Sequence, residues 1–527
     1  MPALLAGAHS AGLLFFLNPA LPFSLAVFAR AALYYAALLA PLSLGAHFAV
    51  ARWRGVSVAR LVPWSLTVVA AAGALGDGVH ASVYAFLLPD AINAQLIKAG
   101  LWLALAAVLT FYTALLHTLH HRRYGLRSRA LIALAAVGSV YATLDRRTSY
   151  RPSPSEVQEM RVEAEPEPPR LALVALPSAT LDAVLPLARQ GKLPFLAQML
   201  DGGAGARLST LSPPRPAALW ASWATGKLPF RHGIVGPARF TAPLLGVEAR
   251  LSLVPIVPSF PVWGLAGGRR TPIERRDRTA LTVWEILVAA DRRAVTVGFE
   301  PWLGGTPTAH SASADAEASS LAVRELAALG RQDFARALAE DQARFAAARR
   351  LLAGERPPRA LFVELRGLEQ AALSAYGGFA AANFEGKRSA EATGAARAYE
   401  AYLAGLDSEL AIFWGELPRP CLLAISSPYG VAAPRGLVRP LLSGKPELRG
   451  SLDDAPDGLL LLRGDGIRAG VQASEGRLVD LVPTLLYAVG LPIARDFDGR
   501  VLAELFEPAI LQRRALSFVP SFEGLRR

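Results

Sequence analysis

Apolar positions fall into two patterns along the chain, long runs and then short ones. Up to about residue 145, Ala, Leu and Val dominate stretches at roughly 11–29, 31–51, 62–87, 99–117 and 129–144, separated by short polar loops. About 20 apolar residues are needed to cross a bilayer, so this part is predicted to be a helical bundle of about five transmembrane spans. The first run is interrupted by Asn18 and Pro19, and the last is short. Over residues 146–170 no apolar period survives, and proline and charge in RPSPSEVQEMRVEAEPEPPR predict an exposed tether. Strand-length runs then appear at LALVAL (171–176), AVTVGF (294–299), ALFVEL (360–365), CLLAIS (421–426) and GLLLLRG (458–464). Such unbroken runs fit strands covered on both faces. Amphipathic helical stretches such as ALTVWEILVAA and RAYEAYLAGLDSELAIFWGEL lie between them. The alternation predicts an α/β domain over 171–508, a doubly wound, mostly parallel sheet with helices on both faces, followed by a C-terminal tail at 509–527. In such a sheet, ligands are expected at the carboxyl ends of the strands.

Charge gives the bundle an orientation. The chain of 527 residues carries +12 with a pI near 10.1, yet its arginines are mostly scattered, which argues against nucleic acid as a partner. Their one dense cluster, Arg122, Arg123, Arg127 and Arg129, flanks a membrane run, and Arg52, Arg54 and Arg60 flank another. By the positive-inside rule both loops are cytoplasmic, and five spans then place the C-terminal domain outside, as in a multi-pass protein of a bacterial inner membrane facing the periplasm. The N-terminus lacks the positive flank of a cleavable signal and is expected to stay in the mature chain. Cys421 is the only cysteine, so no intrachain disulfide forms. Within the third run, Asp77 and His80 lie three residues apart on one helical face, where they either satisfy one another or a neighbouring helix, or serve proton transfer or a lipid headgroup contact.

The soluble part also carries a resemblance. The stretches LVALPSATLDAVLPLARQGKLPFLAQMLDGGAGARLSTLSPP, WASWATGKLPFRHGI, LTVWEILVAADRRAVTVGF and LVDLVPTLLYAVGLPIARDFDGRVLAELF follow in order between about 170 and 508. Together they resemble the alkaline phosphatase superfamily in its type I phosphodiesterase/nucleotide pyrophosphatase branch. That resemblance implies phosphoester hydrolysis by two metal ions, usually zinc, and a Thr or Ser nucleophile. Paired cations would clamp the phosphoryl oxygens and activate the nucleophile, each held by Asp and His ligands.

The matching positions depart from the pattern. Where the first strand should end in a ligating Asp followed by Gly, the chain has Pro177 and Ser178. The nucleophile position falls on Pro216, with Arg215 beside it and Thr210 and Ser212 nearby. An Asp-x-x-x-His pair becomes Glu369 and Leu373, an Asp-His-Gly becomes Pro428, Tyr429 and Gly430, and the last histidine becomes Asp454. After residue 122 only His232 and His310 remain, and His232 falls in a structural turn of the family. The expectation is therefore a membrane-anchored pseudoenzyme without metal cofactor, binding a phosphorylated lipid or glycan, with Arg215 as an anion contact, or scaffolding a partner. The alternative is an active phosphodiesterase or phosphotransferase with a rebuilt acidic site drawn from Asp453, Asp454, Asp457, Glu364 and Glu369, suited to one Mg²⁺ or Ca²⁺.

Overall fold

The computed structural model describes residues 2–19, 21–120, 123–144, 168–243, 246–256, 267–305, 320–384, 389–434, 448–453 and 456–525. In chain order the elements are helices α1 (Pro2–Leu17), α2 (Leu25–Arg54), α3 (Val58–Val83), α4 (Asp90–Leu119) and α5 (Leu126–Leu144); β1 (Arg170–Ala175), α6 (Leu181–Arg189), α7 (Pro194–Gly202), β2 (Ala204–Ser209), α8 (Pro216–Thr225) and α9 (Pro229–His232); β3 (Ala238–Ala242), β4 (Val247–Leu251) and β5 (Arg269–Pro272); α10 (Val283–Ala289), β6 (Ala294–Val297), α11 (Leu321–Ala328), α12 (Gln332–Ala353), β7 (Ala360–Glu364), α13 (Gly367–Asn383) and α14 (Ala390–Glu416); and β8 (Cys421–Ser427), β9 (Gly458–Gly464), β10 (Val471–Arg477), α15 (Leu481–Ala488), β11 (Ile493–Ala494), α16 (Pro508–Arg513) and β12 (Phe518–Val519).

These group into two units. One combines Met1–Pro154 with Ile234–Ile273, the other Ser155–Gly233 with Glu274–Arg527. In the first unit, Leu25–Arg54, Arg60–Val83 and Asp90–Leu119 are long and apolar enough to cross a membrane. The run expected at 11–29 is instead two helices, α1 ending at Leu17 and α2 starting at Leu25. Pro19 cannot donate the next helical hydrogen bond, and Asn18 is committed elsewhere. Its side-chain N–H groups donate to Leu14 O (2.9 Å) and Leu253 O (2.8 Å), while its carbonyl accepts from Ser252 N (2.7 Å) and Leu253 N (3.2 Å). At 16 residues, α1 is about 24 Å long, short of a bilayer core. A three-stranded sheet in the order β4-β3-β5 belongs to this unit, packing Phe240, Ala242 and Leu251 against Leu14, Phe15, Phe28 and Tyr35. A sequence boundary at residue 171 does not anticipate this excursion of the chain.

The second unit is built on a seven-stranded sheet, order β10-β2-β9-β8-β1-β7-β6. Its right half, β8-β1-β7-β6, is parallel, β10 and β2 are parallel to each other, and only β9 runs antiparallel to its neighbours. Period-two alternation divides each central strand between two cores. Leu171, Leu173 and Ala175 of β1 face one, with Phe362, Ala424 and Leu460, and Ala172 and Val174 face the other, with Val363, Ile425 and Leu461. Both faces are buried under helices, which is why these strands read as unbroken apolar runs. Residues after 508 are integral to this unit, since β12 pairs with β11 and Phe522 is buried.

Candidate functional site

Parallel pairing brings the carboxyl ends of β8, β1 and β7 side by side. Leu176 N donates to Ser426 O (2.9 Å) and Leu365 N to Ala175 O (3.0 Å), so Pro177 leaves the sheet between the ends of its two neighbours. Pro177 and Ser178 are both buried, and Ser178 has φ 65°, the left-handed region that suits Gly rather than Ser. Its hydroxyl is buried without a hydrogen-bond partner. Ser178→Gly is therefore expected to stabilise this unit by about 1 kcal/mol, through relief of backbone strain and removal of an orphaned hydroxyl. The thermal midpoint of the purified variant checks this, and a lowered midpoint would refute it.

Glu369 stands in the first turn of α13 and meets the end of β8. The Tyr429 hydroxyl, on a ring only 2% exposed, donates to Glu369 Oε1 at 2.8 Å. Burial pushes the Glu369 carboxyl up, and pushes the Tyr429 hydroxyl far above the ordinary phenol range, so the tyrosine stays a neutral donor. Leu373 lies one turn further along α13, half-buried. Pro428 is buried, its carbonyl accepting from Thr210 Oγ1 at 3.3 Å, while Thr210 N donates to Asp457 Oδ1 at 3.2 Å. Pro216 is the first residue of α8 and is exposed, with half-buried Arg215 as its N-cap. That helix carries Trp220 and Trp223, which pack edge to face at 5.1 Å. Trp223 donates to Ser426 Oγ at 3.0 Å, closing the end of β8 from beneath.

Pro177, Glu369, Pro428 and Tyr429 thus gather at the carboxyl ends of the central strands. Asp454 and His310 lie outside the described residues. His232 is wholly buried and shares a 3.0 Å hydrogen bond with Ser222, also buried. Among the described residues, no group of three or more His, Cys, Asp or Glu is placed to hold a metal ion.

A second charged constellation sits at the ends of β6 and β7, where sequence reasoning saw only carboxylates. Arg366 grips Glu364 with two bonds of 3.0 Å and reaches Glu300 at 2.6 Å. Burial pushes the Glu364 carboxyl up to about 7 against the pull of Arg366. Behind it, Asp341 takes the Tyr402 hydroxyl (2.6 Å), Arg344 (2.7 Å) and the Gly367 N–H (3.1 Å). A Cβ at Gly367 would lie 2.1 Å from the Tyr402 hydroxyl, so α13 can start here only with glycine. The E-x-R spacing in VELRG was the signal available for the Glu364–Arg366 pair. A cavity of about 780 Å³ lies elsewhere, beside α10 and β6, lined by Arg278, Trp284, Glu285 and Thr296 among others.

No family model matches the sequence, and no curated protein matches it. Among solved structures, the chain is similar to wild-type alkaline phosphatase PafA, with 12% identity over 66% of this chain and 100% of that one and a TM-score of 0.44. It is similar to murine ectonucleotide pyrophosphatase/phosphodiesterase 5, with 11% identity over 61% of this chain and 95% of that one and a TM-score of 0.39. It is also similar to a 2-O GAG sulfatase, with 13% identity over 67% of this chain and 76% of that one and a TM-score of 0.37. The likeness is one of fold.

Proposed function

We propose that the C-terminal unit is a phosphodiesterase-like domain that binds without hydrolysing, a membrane-anchored pseudoenzyme whose ligand is a phosphorylated lipid or glycan. The observation that carries this reading is the 2.8 Å bond between Tyr429 and Glu369. It joins two positions that the sequence resemblance assigns to metal ligands, and it spends the Glu369 carboxylate on a phenol. Prolines at 177 and 428 and a leucine at 373 have no donor atom to offer a cation on their side chains, so the residues present do not fit a pair of zinc ions. Proline at 216 likewise has no hydroxyl for attack on phosphorus.

Three members of the acidic alternative, Glu364, Glu369 and Asp457, are engaged in internal bonds. Glu364 is gripped by Arg366, and Asp457 accepts from Thr210 N–H. A cation would have to displace an arginine from a buried carboxylate. For binding, the N-terminus of α8 presents Arg215 beside Pro216, where a phosphate would meet a guanidinium and the positive end of a helix.

The test uses the purified full-length chain in detergent. Incubated with a bis-aryl phosphate and Zn²⁺, Mg²⁺ or Ca²⁺, it is expected to give no turnover above the protein-free rate, and to carry no stoichiometric zinc after purification. Turnover that a chelator abolishes would overturn the proposal. Binding is read from the thermal midpoint, which rises by mass action as vesicles containing an anionic phospholipid are added, and rises less in Arg215→Ala.

A further inference from the structure

The binding role leaves the helical unit as a mere anchor, yet that unit buries an ionisable pair. Asp77, less than two turns from the end of α3, is fully buried, with Nε2 of His9 from α1 3.2 Å from its Oδ1. Neither carboxylate oxygen has a hydrogen bond of good geometry, and neither does either ring nitrogen of His9. Room for the pair comes from glycines. A Cβ at Gly100 of α4 would lie 3.1 Å from the Asp77 Cβ, and one at Gly73 would lie 3.4 Å from the His9 ring. The sequence suggests His80 as the partner of Asp77, but His80 is taken. Its Nδ1 faces Gly76 O at 2.6 Å, and its Nε2 accepts the Ile256 N–H at 3.0 Å. A ring nitrogen that accepts from an amide carries no proton, so His80 is neutral with its proton on Nδ1.

A structural ion pair inside a membrane would need further hydrogen bonds to offset the loss of water from both charges. Here there are none, and what remains is a buried carboxylate 3.2 Å from an imidazole nitrogen, with no hydrogen bond of good geometry on either group. We propose that His9 and Asp77 form a proton-binding site within the helical unit. On uptake one proton adds to the lone pair of Asp77 Oδ1 or His9 Nε2, and on release the same proton leaves. No other bond is made or broken.

The groups on the surrounding elements do not compete for that proton. On α3 the neighbour is His80. Helix α4 presents Gly100, with Lys98 exposed and Asp90 at its exposed start, and His117, near its other end, bonds Ser128. Helix α5 carries only exposed Arg127 and Arg129 in its first turn, and α2 offers Arg30, Arg52, Arg54 and His47, the last bonded to Ser65.

Infrared difference spectroscopy of the full-length protein in detergent, titrated from pH 9 to pH 4, tests this. A protonated-carboxyl C=O band is expected to appear on acidification and to be absent in Asp77→Asn. His9→Gln should fold and keep the band, with its midpoint displaced by roughly tenfold in proton concentration. His80→Gln should leave the midpoint unchanged. A band that survives Asp77→Asn, a midpoint indifferent to His9→Gln, or no band at any pH would overturn the proposal.

Discussion

Replacing Arg366 with Met is expected to destabilise the C-terminal unit by about 3–5 kcal/mol at pH 8 and by far less at pH 5. Glu364 is buried at the end of β7, and its two carboxylate oxygens are each held by Arg366. Removing the guanidinium at high pH strands a buried charge. At low pH the carboxyl takes a proton, and only the lost hydrogen bonds remain as a cost. The native protein already leans this way. Burial raises the folded Glu364 from 4.5 to about 7 and Asp341 from 3.8 to about 6. Between those limits the folded state binds more protons than the unfolded one, so the stabilising contribution is complete below about pH 4 and is lost as pH rises toward 7. Glu364→Gln should flatten this decline. Denaturation midpoints of the native chain and both variants between pH 4 and pH 8 measure the effect, and three parallel curves would refute it.

The second large effect is expected at Asn18. Asn18→Leu keeps the volume close and removes all four side-chain hydrogen bonds of Asn18, three of which tie the end of α1 to Ser252 and Leu253. Two backbone N–H groups and a carbonyl at the end of β4 would then be left without partners in a buried setting, at about 1–3 kcal/mol each. The sum is enough to detach β3 and β4 from the helices. Limited proteolysis should find a new cleavage site between residues 246 and 256 in the variant. Cleavage that matches the native pattern would mean that the apolar contacts of Phe240 and Leu251 suffice alone. Asn18→Asp is the informative control, since it keeps the acceptor for Ser252 N and Leu253 N and loses only the two donors.

Both residues show how the same letters can be read in two ways. In the sequence Asn18 is a flaw in a hydrophobic run, and Glu364 and Glu369 are carboxylates at a strand end where metal chemistry is expected. What each does depends on a partner that is near in space. For Glu364 that partner, Arg366, is two residues away and lies within the visible E-x-R spacing. For Glu369 it is Tyr429, and for Asn18 it is the backbone at residues 252 and 253, both far along the chain. Asp77 is the clearest instance, because helical spacing offers His80 and the packing of α1 on α3 supplies His9.

By itself the sequence determined five strands of the seven-stranded sheet, the helices between them and the mostly parallel character of that sheet, because these follow from short unbroken apolar runs and from a period of 3.6 in local hydrophobicity. It also determined which residue types stand at the carboxyl ends of the strands. Only the tertiary structure decided that Ile234–Ile273 joins the N-terminal helices and that Tyr429 occupies Glu369. Only it pairs Asp77 with His9. Hydrogen bonds and ion pairs act over about 3 Å, and which groups come that close is set by the packing of distant segments, a quantity that no local period encodes.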